Sequence, residues 1–274
     1  MLIKVDEFYE SKKELLNKEV LNGATLFMIL PVGADFKDEF NMEQDDFESL
    51  AAEFDLNVQI IPLKRDSCHL ITYLKGLAED YEVNGIALGN SFRNDSDILK
   101  CIPYYKDISG STSVSEARYM HSLKSVIPYS IRAYIDLLDD RIGRLDMIDA
   151  LILSSAGSSK HRILQRALEE RGGSVTVVHS KTSSGTINRR MRDSDLIVVL
   201  DDFFQNKISY PYISLGKGWC VSEIVDLAGH DSIDVASFEF TNIEVSNDYN
   251  LLNPIYLLMN LMDCMNIQKE KKGA

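Results

Sequence analysis

The sequence has few cysteines and no concentration of metal-binding residue types. Its four cysteines, Cys68, Cys101, Cys220 and Cys264, are scattered, and none belongs to a CxxC pair or a Cys/His cluster. Such clusters are the usual sequence pattern of a zinc site, so we predict no metal site. We expect these thiols to be reduced and mostly buried, as in cytosolic proteins.

Long apolar runs are also missing. No stretch approaches the ~18 apolar residues that a membrane-spanning helix needs. Residues 1–16 are amphipathic and charged, and they lack the apolar core of a signal peptide. From these two absences we expect a soluble, cytoplasmic protein with no membrane partner.

Positive charge is the third shortage. The chain has 29 Lys and Arg against 42 Asp and Glu, which gives a formal net charge of −13. Nucleic acids and anionic membranes are bound through basic surfaces, so we predict that neither is a partner. A local basic pocket for a small anionic ligand stays open.

The apolar pattern that is present predicts an α/β protein. Strands alternate with helices along the 274 residues, which is typical of parallel sheets. Apolar runs predict strands at 25–30, 58–63, 83–89, 150–153, 175–178, 195–200 and 219–224. Helical spacing predicts helices at 6–22, 47–54, 68–81, 128–138, 163–168, 187–191 and 253–265, and residues 90–127 look less regular.

Residues 148–182 form the most informative stretch. A strand, a loop of small residues, a helix and a second strand follow one another there, as in the βαβ unit of a nucleotide-binding domain. The loop precedes a helix N-terminus, where backbone N–H groups and the helix dipole favour phosphate. We therefore expect nucleotide contacts from Ser154, Ser155, Gly157 and Ser158, although a ligand-free βα turn is the open alternative because GxGxxG is absent.

The end of the second strand is the place where a ribose or its 2′-phosphate is read in such domains. His179, Ser180, Lys181 and Thr182 stand there. A lysine in place of an acidic residue favours NADP over NAD. An ordinary polar turn at the strand end is the alternative interpretation.

Several motifs, in order, resemble one family. They lie at 83–89 (VNGIALG), 106–110 (KDISG), Pro128, 150–156 (ALILSSA), 175–182 (VTVVHSKT) and 194–198 (SDLIV). Together they resemble the methylenetetrahydrofolate dehydrogenase/methenyltetrahydrofolate cyclohydrolase family. The VTVVHSKT string and the KDxxG turn are the most specific of these motifs.

The resemblance implies a two-domain α/β fold. Residues 1–125 would form a folate- or substrate-binding domain, 126–250 a Rossmann-like NAD(P)-binding domain, and a helix at 253–266 would join the first domain and pack between the two. Folate would bind in the interdomain cleft, and the protein would be a homodimer. The resemblance implies substrate contacts from Asp107 and Lys106, and the ring of Tyr105 could stack on a planar ligand. The alternatives are that Asp107 caps the backbone of its own turn and that Tyr105 packs in the core or at its rim.

The departures from the family pattern lie at its chemical positions. The family has a tyrosine and, four residues on, a catalytic lysine in a helix of the first domain, but residues 42–50 contain neither. Gly89 replaces a glutamine, and Ser109 replaces the second aspartate of the turn. The glycine-rich segment before the last helix is replaced at 246–254, and the phosphate loop reads SSAG. No catalytic residue can be assigned.

Three functions remain open from the sequence. The first is an NAD(P)-dependent oxidoreductase of one-carbon metabolism, acting on tetrahydrofolate derivatives or another small substrate, with cyclohydrolase activity lost. The second is a catalytically inactive relative that binds folate or nucleotide and has a regulatory or partner role. The third is an enzyme with a different substrate, because fold does not determine function.

Overall fold

The computed structural model describes residues 5–64, 68–92, 95–142, 145–154, 160–179, 181–200, 223–226 and 249–273. The chain divides into two compact units. Unit 1 comprises residues 1–134 and 248–274, and unit 2 comprises residues 135–247. Each unit is built on its own parallel sheet, so the fold is a two-unit α/β fold.

The sheet of unit 1 has three parallel strands in the order β2-β1-β3. These strands are β1 (Thr25–Pro31), β2 (Asn57–Leu63) and β3 (Val83–Leu88). The interior of β1 and most of β3 are buried. Strands covered on both faces read as continuous apolar runs, which explains why the sequence pattern located them.

The described part of the sheet in unit 2 has four parallel strands in the order β5-β4-β6-β7. They are β4 (Asp149–Ser154), β5 (Ser174–His179), β6 (Leu196–Val199) and β7 (Glu223–Asp226). Strand β4 is the central one and pairs with β5 and β6. The strand predicted at 219–224 overlaps β7 at its last two residues, while 219–222 lie outside the described residues.

Eleven α-helices are described. They are α1 (Val5–Lys13), α2 (Lys18–Leu21), α3 (Phe36–Phe40), α4 (Gln44–Glu53), α5 (Cys68–Glu79), α6 (Ser96–Leu99), α7 (Ser113–Met120), α8 (Tyr129–Ile142), α9 (Lys160–Glu170), α10 (Ser184–Arg192) and α11 (Tyr249–Gly273). Short 3-10 turns lie at Asn90–Phe92 and Leu145–Met147. The region predicted as less regular therefore contains α6 and α7.

The predicted single helix at 6–22 is wrong, because two helices occupy that stretch. The side chain of Asn17 accepts hydrogen bonds from the N–H groups of Glu19 and Val20 and so begins α2. Asparagine is common at the N-cap, because its side-chain oxygen accepts hydrogen bonds from N–H groups that the helix leaves unpaired. Helix α3 was not predicted, although Asp35 caps its start and Asn41 ends it in the left-handed conformation.

Helix α11 is longer than the predicted 253–265 and continues to Gly273. Within unit 1 it packs against α1, α4 and β3. Buried Asn260 on α11 donates to the carbonyls of Ile108 and Ile127 and accepts from the Arg132 guanidinium. This side chain therefore joins three segments of unit 1 that lie far apart in sequence.

Neither a membrane-spanning helix nor a metal-binding cluster is present among the described residues. Across the described ranges, no helix combines the length and apolar character needed to cross a membrane. Over the same part of the chain, no group of three or more His, Cys, Asp and Glu side chains is arranged to hold a metal ion. Cys264 is buried and Cys101 is half-buried, and neither is in a disulfide.

Candidate functional site

In unit 1, strand order identifies the place where a ligand would bind. The chain passes from β1 to β2 on one side and then to β3 on the other side of β1. Open parallel sheets bind ligands at such a reversal point, in the crevice outside the carboxyl ends of the strands. The segments that line this crevice are α3, which follows β1, and the 3-10 turn at Asn90–Phe92, which follows β3.

A buried acid, Glu39, lies at this crevice. Its carboxylate accepts a hydrogen bond from the Ser91 backbone N–H at 2.8 Å and a second, short one from the Ser91 hydroxyl. The side chain of Asn90 also donates to the Asp38 carbonyl at 2.9 Å. These bonds tie the segment after β1 to the segment after β3. Sequence reasoning missed Glu39, since it stood among other acidic residues in a presumed loop.

Asp107 is also buried, but its carboxylate is used within the protein. It accepts from the Thr112 N–H at 2.8 Å, the Ser115 hydroxyl at 2.8 Å and the Ser111 N–H at 3.3 Å. Thr112 in turn caps α7 through the Ser115 N–H. These contacts favour the alternative in which Asp107 organises its own turn, although its predicted role in substrate binding stays a prediction.

Lys106 is 4% exposed, and its ammonium reaches the end of α5. It donates to the carbonyls of Leu77 at 3.1 Å, Ala78 at 2.9 Å and Asp80. The last carbonyls of a helix lack partners in the helix, and a cation there is favourable. Burial lowers the pKa of Lys106, while the nearby Asp80 opposes that shift.

Tyr105 lies toward the amino end of β3, away from the crevice. Its carbonyl accepts from the Gln268 amide, which also donates to the Asn84 carbonyl near the start of that strand. Its ring lies under the Lys271 ammonium at 3.8 Å and meets Tyr104 edge to face. Tyr105 and Lys106 are therefore not brought to the carboxyl edge with Glu39.

The helix where the family has its lysine offers no replacement cation. Residues Gln44–Glu53 form α4, which begins with the exposed acids Asp45 and Asp46. A shallow groove of about 320 Å³ runs beside α4. It is lined by Tyr9, Lys13, Asp46, Ser49, Leu50, Glu53, Leu251 and Pro254. Lys13 in this groove pairs with Glu53 at 2.7 Å.

In unit 2, the described cofactor candidates meet at the carboxyl ends of β4 and β5. Ser154 ends β4 and is fully buried, with its hydroxyl oxygen 3.4 Å from Nδ1 of His161 in the first turn of α9. The rings of His161 and His179 meet edge to face at 5.3 Å. His179 ends β5, so the sheet register places it directly beside Ser154. In the sequence, His161 belongs to no triad-like arrangement of residues, so it was not predicted as a site residue.

The turn after β5 is held by the backbone and one hydroxyl. The Thr182 hydroxyl accepts the His179 N–H at 3.2 Å, and the Thr182 N–H donates to the His179 carbonyl at 2.8 Å. Lys181 is exposed. Nδ1 of His179 is buried and has no hydrogen-bond partner in the part of the chain that the structure describes. The remaining predicted contacts, Ser155, Gly157, Ser158 and Ser180, lie outside the described residues.

This donor set fits a dinucleotide. Ser154 and His179 end adjacent strands, and Lys181 and Thr182 follow His179, so two hydroxyls, an exposed lysine and an imidazole lie near the carboxyl edge of this sheet. Hydroxyl groups and a lysine at this position suit ribose and phosphate oxygens. A bound nicotinamide dinucleotide would supply a hydride acceptor, while these side chains would hold its sugar and phosphate groups.

No protein-family model matches the chain. The bifunctional protein FolD of Picrophilus torridus is 30% identical over 135 residues, which are 47% of this chain and 46% of that protein. FolD of Thermoplasma acidophilum is 29% identical over 133 residues, again 47% and 46% of the two chains. The chain thus spans about half the length of these curated relatives.

Solved structures match almost the whole chain. A 5,10-methylenetetrahydrofolate dehydrogenase from Bombyx mori matches with a TM-score of 0.75 at 18% identity, covering 97% of this chain and 96% of that one. The NAD-dependent enzyme from Saccharomyces cerevisiae has a TM-score of 0.74 at 14% identity, with coverages of 98% and 96%. The Trypanosoma brucei dehydrogenase-cyclohydrolase, complexed with NADP and inhibitor, has a TM-score of 0.71 at 16% identity, covering 98% of each chain. These likenesses establish the fold.

Proposed function

We propose that this chain, which resembles the methylenetetrahydrofolate dehydrogenase/cyclohydrolase family in sequence and fold, is an NAD(P)-dependent oxidoreductase acting on a reduced folate. The observation that carries the proposal is the donor set at the carboxyl edge of unit 2, formed by Ser154, His179, Lys181 and Thr182. The same edge of a parallel sheet is where dinucleotides bind in related folds.

Cyclohydrolase activity is not part of the proposal. Helix α4 contains no lysine and no tyrosine, and its first turn is acidic. A carboxylate cannot supply an ammonium proton or cationic stabilisation at the reacting centre. Hydride transfer depends less on such a group, because the cofactor carries the chemistry and the protein mainly orients the reactants. We further propose a cytoplasmic homodimer: the cytoplasmic location is expected from the composition, and the homodimer is what the family resemblance implies.

Isothermal titration with NADP, NAD and tetrahydrofolate tests the proposal, followed by a spectroscopic assay of hydride transfer. We expect saturable binding of a dinucleotide and turnover with methylenetetrahydrofolate. Substituting Lys181→Ala should weaken NADP about tenfold and NAD less than threefold, because only NADP carries a 2′-phosphate for the ammonium.

The matched control is Arg190→Ala, which removes an exposed cation from α10 in the same unit. It should leave both affinities unchanged. Equal weakening of NADP and NAD by Lys181→Ala would remove that lysine from the 2′-phosphate site. No binding of either dinucleotide to the unsubstituted protein would overturn the oxidoreductase proposal.

A catalytically inactive folate-binding relative is the second candidate. The commitment of Asp107 and Lys106 to internal hydrogen bonds favours it, because two expected substrate contacts are then engaged elsewhere. The same titrations separate the two functions. Folate binding without dinucleotide binding or turnover would identify the second candidate.

A further inference from the structure

Glu39 is a buried acid whose charge is not balanced by a described cation. Its side chain is 5% exposed, and both of its hydrogen bonds come from Ser91. None of the ion pairs among the described residues includes it. Burying a carboxylate without a cationic partner costs free energy, so its presence here requires a reason.

Gly89 is the residue that makes room for this carboxylate. A Cβ atom at residue 89 would lie less than 3.0 Å from the Glu39 carboxylate oxygen, a separation that real Cβ atoms essentially never show. Any side chain at 89 would therefore displace the acid. The family that this chain resembles has a glutamine at the position of Gly89. The space that this neutral glutamine side chain would enter is occupied here by the Glu39 carboxylate of α3.

The position of Glu39 in the sheet suits a ligand contact. It belongs to α3 after β1, whereas its partner Ser91 follows β3, 52 residues further along the chain. The two bonds thus cross the crevice between the carboxyl ends of the two strands where the chain reverses direction in the sheet. Each carboxylate oxygen retains a further lone pair after its bond to Ser91.

We propose that Glu39 contacts the folate and stabilises the positive charge that hydride removal creates on it. The inference rests on the proposed function. In methylenetetrahydrofolate one carbon bridges two nitrogens. Removing hydride breaks one C–H bond, and the hydrogen leaves with both bonding electrons to reduce the dinucleotide. The carbon is oxidised by two electrons, no proton is released, and the N–C–N unit becomes a cation.

A fixed carboxylate beside that unit favours the product and the transition state leading to it. Preorganised charge acts strongly where charge develops, because the site excludes water and needs no reorientation. Tetrahydrofolate, which lacks the N–C–N cation, gains much less binding free energy from this carboxylate. Glu39 therefore makes this site selective for the cationic methenyl form over the neutral forms, and Ser91 is its positioning residue.

The test compares the affinities of two ligands without any dinucleotide. Binding is measured by rapid-mixing fluorescence for methenyltetrahydrofolate, which carries the N–C–N cation, and for tetrahydrofolate, which lacks it, before the cation hydrolyses. In Glu39→Gln, which keeps the shape but removes the charge, the preference for the cation should fall at least tenfold. The rate of hydride transfer should fall with it, while affinity for the dinucleotide stays unchanged.

Gly89→Ala provides an independent second variant, because it displaces the carboxylate while leaving its chemistry intact. It should lower the same preference. Gly76→Ala on α5 is the matched control, since a Cβ there meets nothing within 4 Å. Asp45→Asn controls for the loss of one exposed negative charge. Both controls should keep the preference of the unsubstituted protein.

The outcomes separate this inference from the proposed function. An unchanged preference in folded Glu39→Gln and Gly89→Ala, with both ligands still bound, would overturn the role of Glu39 alone. If Glu39→Gln does not fold, the result with Gly89→Ala decides. A protein that binds neither folate would overturn the proposed function, and this inference with it.

Discussion

Two neighbouring regions of unit 1 bury charged side chains in different ways. In the turn at 106–110, the Lys106 ammonium is bound by three carbonyls, and the Asp107 carboxylate accepts three hydrogen bonds. In the crevice, the Glu39 carboxylate accepts hydrogen bonds from Ser91 alone among the residues that the structure describes. The turn charges contact helices α5 and α7, which they complete, whereas the Glu39 bonds cross the site where a ligand is expected.

The difference separates a structural charge from a functional one. A buried ion whose partners are all backbone and capping groups contributes to stability, because the fold supplies those partners whether or not a ligand binds. A buried carboxylate that can accept further hydrogen bonds and has no described counter-ion is stabilised more by a ligand that donates hydrogen bonds or carries positive charge. Burial alone therefore does not identify a site, and the completeness of the hydrogen bonding has to be examined.

The largest expected effect is a loss of stability when the turn at 106–110 is disrupted. Gly110 has φ +63°, and a Cβ there would lie within 3.0 Å of the Ile127 backbone. Gly110→Ala should lower the free energy of unfolding by about 4 kcal/mol, through strain plus the collision. Chemical denaturation measures it. The control Gly23→Ala, with φ +71° and no atom within 4 Å, should cost about 1 kcal/mol. Equal losses would show that the Ile127 contact is unimportant.

A smaller effect distinguishes the two acids. Asp107→Asn should cost about 2 kcal/mol of unfolding free energy, because hydrogen bonds to a buried carboxylate are replaced by mismatched donors. Its effect on the preference for a cationic folate should be slight. Glu39→Gln should show the reverse pattern. Urea unfolding and the ligand comparison are measured on both variants. Loss of the cation preference in Asp107→Asn, with stability intact, would reverse these assignments.

The smallest effect is a difference in pH dependence between two lysines. Burial lowers the pKa of Lys106 below its ordinary 10.5, whereas the hydrogen bond to Glu53 raises the pKa of Lys13 above it. Just below pH 10.5 the unfolded chain holds more protons at Lys106 than the folded chain does, so this lysine makes stability rise with pH. The Lys13 contribution is fully present below 10.5 and is lost as pH rises through its folded pKa.

Unfolding free energies at about pH 9 and about pH 11 test this sign difference. The stability of the unsubstituted protein relative to Lys106→Met should increase over this interval. Its stability relative to Lys13→Met should decrease. Changes of the same sign in the two comparisons would contradict the assignment of Lys106 as a desolvated lysine.

Strands β1, β3 and β4 were predictable because they are buried on both faces and therefore read as apolar runs, whereas β2 is more exposed. The strands at 25–30, 58–63, 83–89 and 150–153 are confirmed within one or two residues. Helix boundaries were less predictable. The break at Asn17 and the short helix α3 depend on single capping residues, whose signal is weak beside an apolar periodicity.

The candidate sites were predictable to different degrees. In unit 2, the structure places Ser154, His179, Lys181 and Thr182 at one sheet edge, because residues that end adjacent parallel strands meet there. In unit 1, the sequence pointed to residues 105–107 and not to Glu39. The one available signal was Gly89 at a strand end, which becomes informative only when the acid facing it is known.

The sequence by itself determined the α/β class, most strands of both sheets and the excess of negative charge, because these follow from local patterning and composition. Tertiary structure alone decided that Asp45 is exposed, that Asp107 is bonded within its own turn and that Glu39 is buried at the crevice. Asp45, Asp107 and Glu39 carry the same carboxyl group, but their surroundings come from residues distant in the chain, such as Ser91 for Glu39. Desolvation and hydrogen bonding depend on those non-local neighbours, so the chemistry of each acid was set only when the chain folded.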